Sequence, residues 1–339
     1  MKYKLLAVNL RAFDGETVNE NGSFDLNVHT TGTESLSAEM KVYYDSELMH
    51  AAEPRLIHGQ FGQKKPIPRG RGKTIEFRRF SQLPKALTPL TEGVTPKGGD
   101  IRVSSTTATV DQYGYYIAVS DVLDMTALDN MILESTKALG SQAGRTLDTV
   151  TREIINAGTN VQYAEGQVES RAALTDAHKL TVKAVKMAVR TLKNANADPI
   201  DGDFIGIIHP DTAFDLTEDP EWKYPHQYVD TDHIYNGEIG KIAGVRFVET
   251  TEAKIFAGEG SGGRSVYATL ILAANAYGIT DLEGGGLRTI VKQMGSAGTG
   301  DPLDQRSTIG WKATQTAKIL SDEYMVRIET GSTFSGGAN

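Results

Sequence analysis

The chain predicts an α+β fold organised around one unusually long helix. Three observations carry that class. A one-sided apolar stripe runs between Leu128 and Ala157, two strand-like runs flank a Pro/Gly-rich tip between Thr74 and Val110, and helical patterns alternate with short apolar strands after Leu174. At 339 residues, 39% hydrophobic and 23% charged, the chain is long enough to bury one or two sizeable cores. No stretch approaches the roughly 20 consecutive apolar residues of a membrane span. The apolar run Leu5–Val8 breaks at Asn9 and Arg11 without a cleavage site, so a signal peptide is not expected. Zero cysteine excludes disulfides, thiolate metal sites and cysteine nucleophiles. A net charge of -8 argues against a protein whose main task is to wrap nucleic acid.

Taken in order, residues 1–35 are polar and aperiodic, and read as an extension that orders only against a partner. Residues 37–61 predict a helix with Met40, Tyr43, Tyr44, Leu48 and Ala51 on one stripe, ended or kinked at Pro54. The stripe is aromatic and has no evident home core. Next comes a basic cluster: Lys64, Lys65, Arg69, Arg71, Lys73, Arg78 and Arg79 against Glu76 alone. The cluster carries +6, which leaves -14 for the rest of the chain. Pairing with acidic groups on another subunit therefore fits it better than nucleic-acid binding. Strands over Thr74–Phe80 and Ile101–Val110 enclose a tip broken by Pro84, Pro89 and Pro96. Such a hairpin buries too little to stand alone, and needs a partner surface.

Tyr113, Tyr115 and Tyr116 extend a strand into the long helix. Ser120 and Asp121 are start signals, repeated by Thr126 and Asp129, so a short turn precedes the main helix. Running from about Leu128 to Ala157 it spans about 45 Å, with Gly158 as its stop. Gly140 and Gly144 in its middle imply either a bend or a closely packed second backbone. Further on, a helix is expected over 174–197, a short apolar strand over Phe204–Ile208, and a brief helix capped by His209-Pro210-Asp211. GKIAGVRFVET and RSVYATLILAAN read as strands, as do Thr308–Ile319 and Glu323–Glu329.

SDVLDMTALD, TLDTVTREIINAGTN, IHPDTAFDL, IYNGEIGKIAGVRFVETTEAKIF, DPLDQRSTIGWK and VRIETG together resemble tailed-phage major capsid proteins, and within them the N-four-type group. The likeness covers about Leu36 to Thr330. It implies a Hong Kong 97-type capsid fold: an N-terminal arm (36–62), an extended β-hairpin loop (63–111), a peripheral domain with a long spine helix (112–165), an axial domain (166–300) and C-terminal strands returning to the main body (301–339). Nothing carries over to residues 1–35. The function implied is a structural one, self-assembly into hexamers and pentamers that form an icosahedral phage head around double-stranded DNA. The place implied is the virion, with assembly in the bacterial host cytoplasm. The partners implied are the chain itself, with portal, scaffolding and decoration proteins as further ones; packaged DNA is touched only non-specifically and no membrane is involved. The arm and loop overlap neighbours, which makes Tyr43, Tyr44, Lys64, Lys65, Arg69, Arg71, Arg78 and Arg79 the interface candidates. Gly140 and Gly144 become hinge candidates for shell expansion. Lys85 and Lys97 lie where some relatives crosslink covalently, but nothing local marks either as reactive. An encapsulin-like compartment is the alternative with the same fold, and a soluble homo-oligomeric enzyme with an inter-domain site the alternative of another class.

Enzyme and cofactor signatures are absent from the sequence. Gly72-Lys73-Thr74 lacks the first glycine of a P-loop and precedes a strand. Residues 258–263 spell GxGxxG but also lead into a strand, and Glu259 would repel a pyrophosphate. No HExxH or GxSxG occurs. His226 and His233 with Asp230 and Asp232 are the best metal candidates and read better as a polar surface loop. No catalytic residue, cofactor or metal is expected.

Overall fold

A computed structural model describes residues 38–52, 56–80, 83, 85–95, 98–126, 130–222, 240–296 and 301–339. The expectations for residues 1–35, Lys97, His226, Asp230, Asp232 and His233 lie outside the described residues. In chain order, helix α1 (Ala38–Ala52) is followed by β1 (Gln63–Lys64) and the hairpin β2 (Thr74–Phe80) and β3 (Val103–Thr109). Then come β4 (Asp111–Ser120), the short α2 (Asp121–Thr126) and the 26-residue α3 (Met131–Asn156). The middle of the chain forms β5 (Val161–Tyr163), α4 (Val182–Asn194), β6 (Phe204–Ile208), α5 (Pro210–Thr217), β7 (Lys241–Ile242), β8 (Val245–Glu249), β9 (Ile255–Phe256) and β10 (Val266–Leu272). The last part forms β11 (Tyr277–Thr280), β12 (Arg288–Lys292), β13 (Arg306–Ile319) and β14 (Met325–Thr330).

Apart from the two-stranded hairpin β2–β3, two sheets hold these strands. In the first, β13 is central: β4 pairs with it on one edge, β11 and β12 follow one another along the other, and β1 extends β11. The second runs β5-β14-β10-β6-β8-β7, with β9 beside β10. The linear division at residues 165 and 300 therefore does not follow the sheets. β11 and β12 belong with β4 and β13, while β14 pairs with β10 deep in the other sheet. Long-range pairing decides sheet membership, and position along the chain does not.

α3 starts one turn later than Leu128. Asn130 is its cap, accepting a hydrogen bond from Leu133 N at 3.1 Å, whereas Thr126 ends α2 with its hydroxyl on Val122 O. The start signals at Ser120 and Asp121 serve α2, accepting from Leu123 N and Val122 N. One face of α3 buries Leu139, Ala143 and Leu147 against Val119, Ile309, Trp311 and Ala313 of the first sheet. Gln142 and Thr151 reinforce that contact by accepting from the Trp311 indole N–H and the Gln315 amide. Gly158 does not take a left-handed conformation. It is needed for space, since a Cβ there would sit 2.6 Å from the Asp322 carboxylate.

α1 has a home core after all. Leu48 and Ala52 are fully buried, and Leu48 joins the cluster between α3 and the first sheet. Of the predicted stripe Tyr44 and Leu48 are buried, while Tyr43 is half exposed and Ala52 is buried more deeply than Ala51; the surface that receives the helix is the chain's own α3. α4 starts at Val182 rather than near Leu174, because Thr181 caps it by accepting from Ala184 N. Leu174 and Leu180 are buried from irregular backbone, where Thr175 N donates to the His178 ring, so their spacing imitates a helix that does not form. As expected, His209 caps α5, its ring accepting from Asp211 N at 3.2 Å.

Three chain passages link the sheets: α3 to β5, β10 to β11, and β13 to β14. They lie side by side. Leu320 N and Ser321 N both donate to Ala276 O, and Ala273 N donates to Tyr324 O. Asp322 accepts from Thr159 N at 3.0 Å. The Arg327 guanidinium donates to Asn156 O at the end of α3 and to Gly158 O just beyond it, where the helix dipole favours a cation. Fully buried Glu329 holds Arg327 on one side and Arg171 on the other, at 2.8 and 2.7 Å.

Candidate assembly surface

The hairpin β2–β3 pairs antiparallel from Thr74–Thr109 to Phe80–Val103. Its root is seated on the body through one apolar side chain: Phe77 is buried against Gly278, where a Cβ would lie 2.7 Å from the ring. Beyond Phe80 nothing among the described residues covers the tip. Leu87 is 82% exposed and Leu90 77%, and Phe80, Leu83, Val94, Ile101 and Val103 are also open to solvent. Isolated exposed leucines are common, but an apolar series of this size on one loop is not, and such series mark interaction sites in general.

The basic cluster divides in two. Arg69 is held at the root, its Nε donating to Glu283 O at 3.2 Å. Arg79 donates to Ser321 Oγ at 2.7 Å and lies 5.0 Å from the Tyr324 ring centroid. Arg78 pairs with Glu76 at 3.2 Å, across solvent-exposed side chains, and Lys65 donates to Glu76 O at 3.3 Å. These four are engaged within their own chain. Lys64 and Arg71 are exposed and have no carboxylate partner among the described residues, as pairing with another subunit requires. Of the two arm tyrosines, Tyr44 is buried and Tyr43 half exposed, with ring centroids 5.7 Å apart in an edge-on arrangement. Burial, and then the neighbouring Tyr43 and Asp124, push the Tyr44 phenol above its usual value.

Gly140 and Gly144 are both buried within an unbroken α3. At Gly140 the structure supplies the second backbone: a Cβ would lie 2.6 Å from Leu48 O and 2.8 Å from the Ala51 Cβ. This glycine lets α1 approach α3.

One buried constellation went unread in the sequence. His58, in the segment joining α1 to the loop, is fully buried, and both its backbone N–H and its Nδ1 lie 2.7 Å from the two carboxylate oxygens of fully buried Asp148 on α3. Tyr277 OH donates to His58 O at 2.6 Å, and burial first, then the Asp148 charge, keep that phenol protonated well above its usual range. The pair is 90 residues apart, so local motif searches miss it. The available signal was a carboxylate at position 148, on the apolar face of an amphipathic helix. Among the described residues His58 Nε2 has no hydrogen-bond partner, and the pair ties the segment between arm and loop to α3. Among the described residues no group of three potential metal ligands occurs, and no helix is long and apolar enough to cross a membrane. The GxGxxG stretch forms a tight turn before β10, as its strand context requires.

A family model described as phage capsid protein matches residues 103–328. The chain belongs to the phage capsid protein family. No curated protein matches its sequence. Solved structures similar to this capsid protein include the capsid of Ralstonia phage GP4, at 13% identity and TM-score 0.64, covering 83% of this chain and 90% of that one. The capsid structure of the cyanophage P-SCSP1u has 15% identity and TM-score 0.62, covering 94% and 97%. A virus-like particle from Pyrococcus furiosus has 12% identity and TM-score 0.51, covering 86% and 100%. At these identities the likeness is one of fold, and it is the Hong Kong 97-type fold expected from the sequence. The capsid protein is thus a structural component of the virion.

Proposed function

We propose that this chain is the major capsid protein of a tailed phage or prophage, forming hexamers and pentamers that close an icosahedral head around double-stranded DNA. The apolar loop tip, which no described residue covers, carries the reading, because a second copy of the chain would bury it. Finer placement in the N-four-type group rests on the resemblance of the sequence segments alone. Portal, scaffolding and decoration proteins, and assembly in the bacterial cytoplasm, follow from the same reading. Sedimentation of purified protein with negative-stain imaging should show closed shells, or capsomer rings that convert to them. A uniform dimer to hexamer at every salt and concentration would overturn it. The likeness to a virus-like particle keeps a cargo-holding compartment as the second reading, and nuclease-protected DNA in particles purified from the producing host separates the two.

The division of the basic cluster refines the interface expectation. Replacing Lys64 and Arg71 together with glutamate should reduce shell yield about tenfold or more, since misplaced like charge at an interface costs several kcal/mol. Circular dichroism of the soluble subunit should not change. Normal yield would class both as ordinary solvated charge.

A further inference from the structure

After β14 the chain crosses the second sheet as a strap, residues 331–339. Neighbours along a strand point to opposite sides, so the sheet separates two helices. Ala213 and Leu216 of α5 share a cluster with Ile271 on one face, and Ile155 of α3 shares another with Leu270 and Leu272 on the opposite face. The strap starts at α5, where buried Asp215 accepts from Ser332 Oγ at 2.7 Å, Thr333 N at 3.0 Å and Thr333 Oγ1 at 2.5 Å. Midway it lies over the start of β10. Gly336 N donates to the Tyr267 hydroxyl at 2.7 Å, that hydroxyl donates to Asp211 of α5, and Ser265 Oγ donates to Gly336 O at 2.5 Å. It finishes in a clasp beside α3. The Asn339 side chain accepts from Ile255 N at 3.1 Å and donates to Thr251 O and Ala253 O, and its main-chain oxygen accepts from Arg152 at 2.8 Å.

Two properties set this strap apart from the cores it joins. It is held by polar bonds rather than by apolar burial: its one large apolar side chain, Phe334, is 46% exposed and rests edge-on against half-exposed Phe214. The groups beneath it also keep partners of their own. Fully buried Arg152 retains Glu252 O and the Glu153 carboxylate, each at 2.8 Å. Tyr267 retains Asp211, and Asp215 retains Lys179 at 3.4 Å. No buried charge is orphaned when the strap lifts, so lifting costs less than opening a core. We infer that residues 331–339 are a latch, closed in this structure, that ties α5 to α3 around the second sheet and opens while both cores stay folded. Closed, it fixes the two helix layers relative to one another. Open, it uncovers Ser265 and empties the clasp at residues 251–255, giving the subunit a second conformation at this end of the sheet. The inference concerns the single subunit and stands apart from the shell reading.

The absence of cysteine makes the test direct. Ser265 is buried under the strap, its hydroxyl bonded to Gly336 O and 3.5 Å from Ser335 Oγ, so Ser265→Cys places a lone thiol there. Thr269→Cys places one in the core of β10, at a fully buried position, and Thr191→Cys one on the exposed side of α4. In the soluble full chain, a thiol-reactive dye should label Ser265→Cys at least about tenfold faster than Thr269→Cys, because only the strap has to lift. Adding Asn339→Ala should raise the Ser265→Cys rate about tenfold further, since three hydrogen bonds of the clasp leave with the side chain. The Thr269→Cys rate should not follow. Equal rates for Ser265→Cys and Thr269→Cys would make the strap part of the core. A Ser265→Cys rate equal to that of Thr191→Cys would mean that the strap is not closed, and a rate indifferent to Asn339→Ala that the clasp does not hold it. Each of these outcomes overturns the latch. Amide exchange makes the same comparison without cysteine, with Gly336 and Ile255 set against Leu270, and serves where the Thr269→Cys variant does not fold.

Discussion

Asp148→Ala should cost the subunit about 3–5 kcal/mol, the loss expected when one partner of a buried polar pair is removed. Two donors on His58 would lose their acceptors in a site without solvent, and a cavity would open on the buried face of α3. Asp148→Asn should cost less, since one oxygen can still accept from His58 N. Chemical denaturation of the soluble subunit would check the order, with Ala below Asn below the parent and several degrees between the extremes in thermal midpoint. An alanine variant within about a degree of the parent would show that His58 finds other partners. The expected defect is also directional. His58 lies where arm and loop leave the body, so its release should expose that segment to protease before the sheets open.

Gly140→Ala distinguishes two readings by its sign. A flexible glycine in a helix is stabilised by alanine by roughly 1 kcal/mol. Where the glycine admits another backbone, the added methyl must displace Leu48 O, and overpacking of this kind costs about 1–3 kcal/mol. The geometry predicts the second outcome: a lower denaturation midpoint, with α1 released from α3. A higher midpoint would restore the hinge reading of this position. Gly144→Ala is the companion measurement, because Gly144 too is buried on α3.

Much of the fold was legible, for identifiable reasons. β2 and β6 have the predicted bounds because Gly, Pro and polar residues mark their ends, and α3 was legible as one long helix, though not in its first turn, because its stripe persists over seven turns. α4 was read too long, since Leu174 and Leu180 are buried by tertiary packing at a spacing that imitates helical period. β11 and β12 were not read as strands. They are short, and only their pairing with β13 defines them. The hairpin of the loop was legible from its composition and strand pattern. Which of its cations face a partner was not legible, because Glu283, Ser321 and Tyr324, which engage Arg69 and Arg79, are remote in sequence.

The three passages between the sheets also bear on when this subunit can exist at all. β13 is the strand on which β4, β11 and β12 converge, and β14 joins β5 to β10. Neither core is a continuous piece of chain, so a ribosome making the protein from its N-terminus cannot release one finished core while the other is still in synthesis. Both close only after residues 306–330 have emerged. The fold therefore completes late, with both cores waiting on the last strands to leave the ribosome.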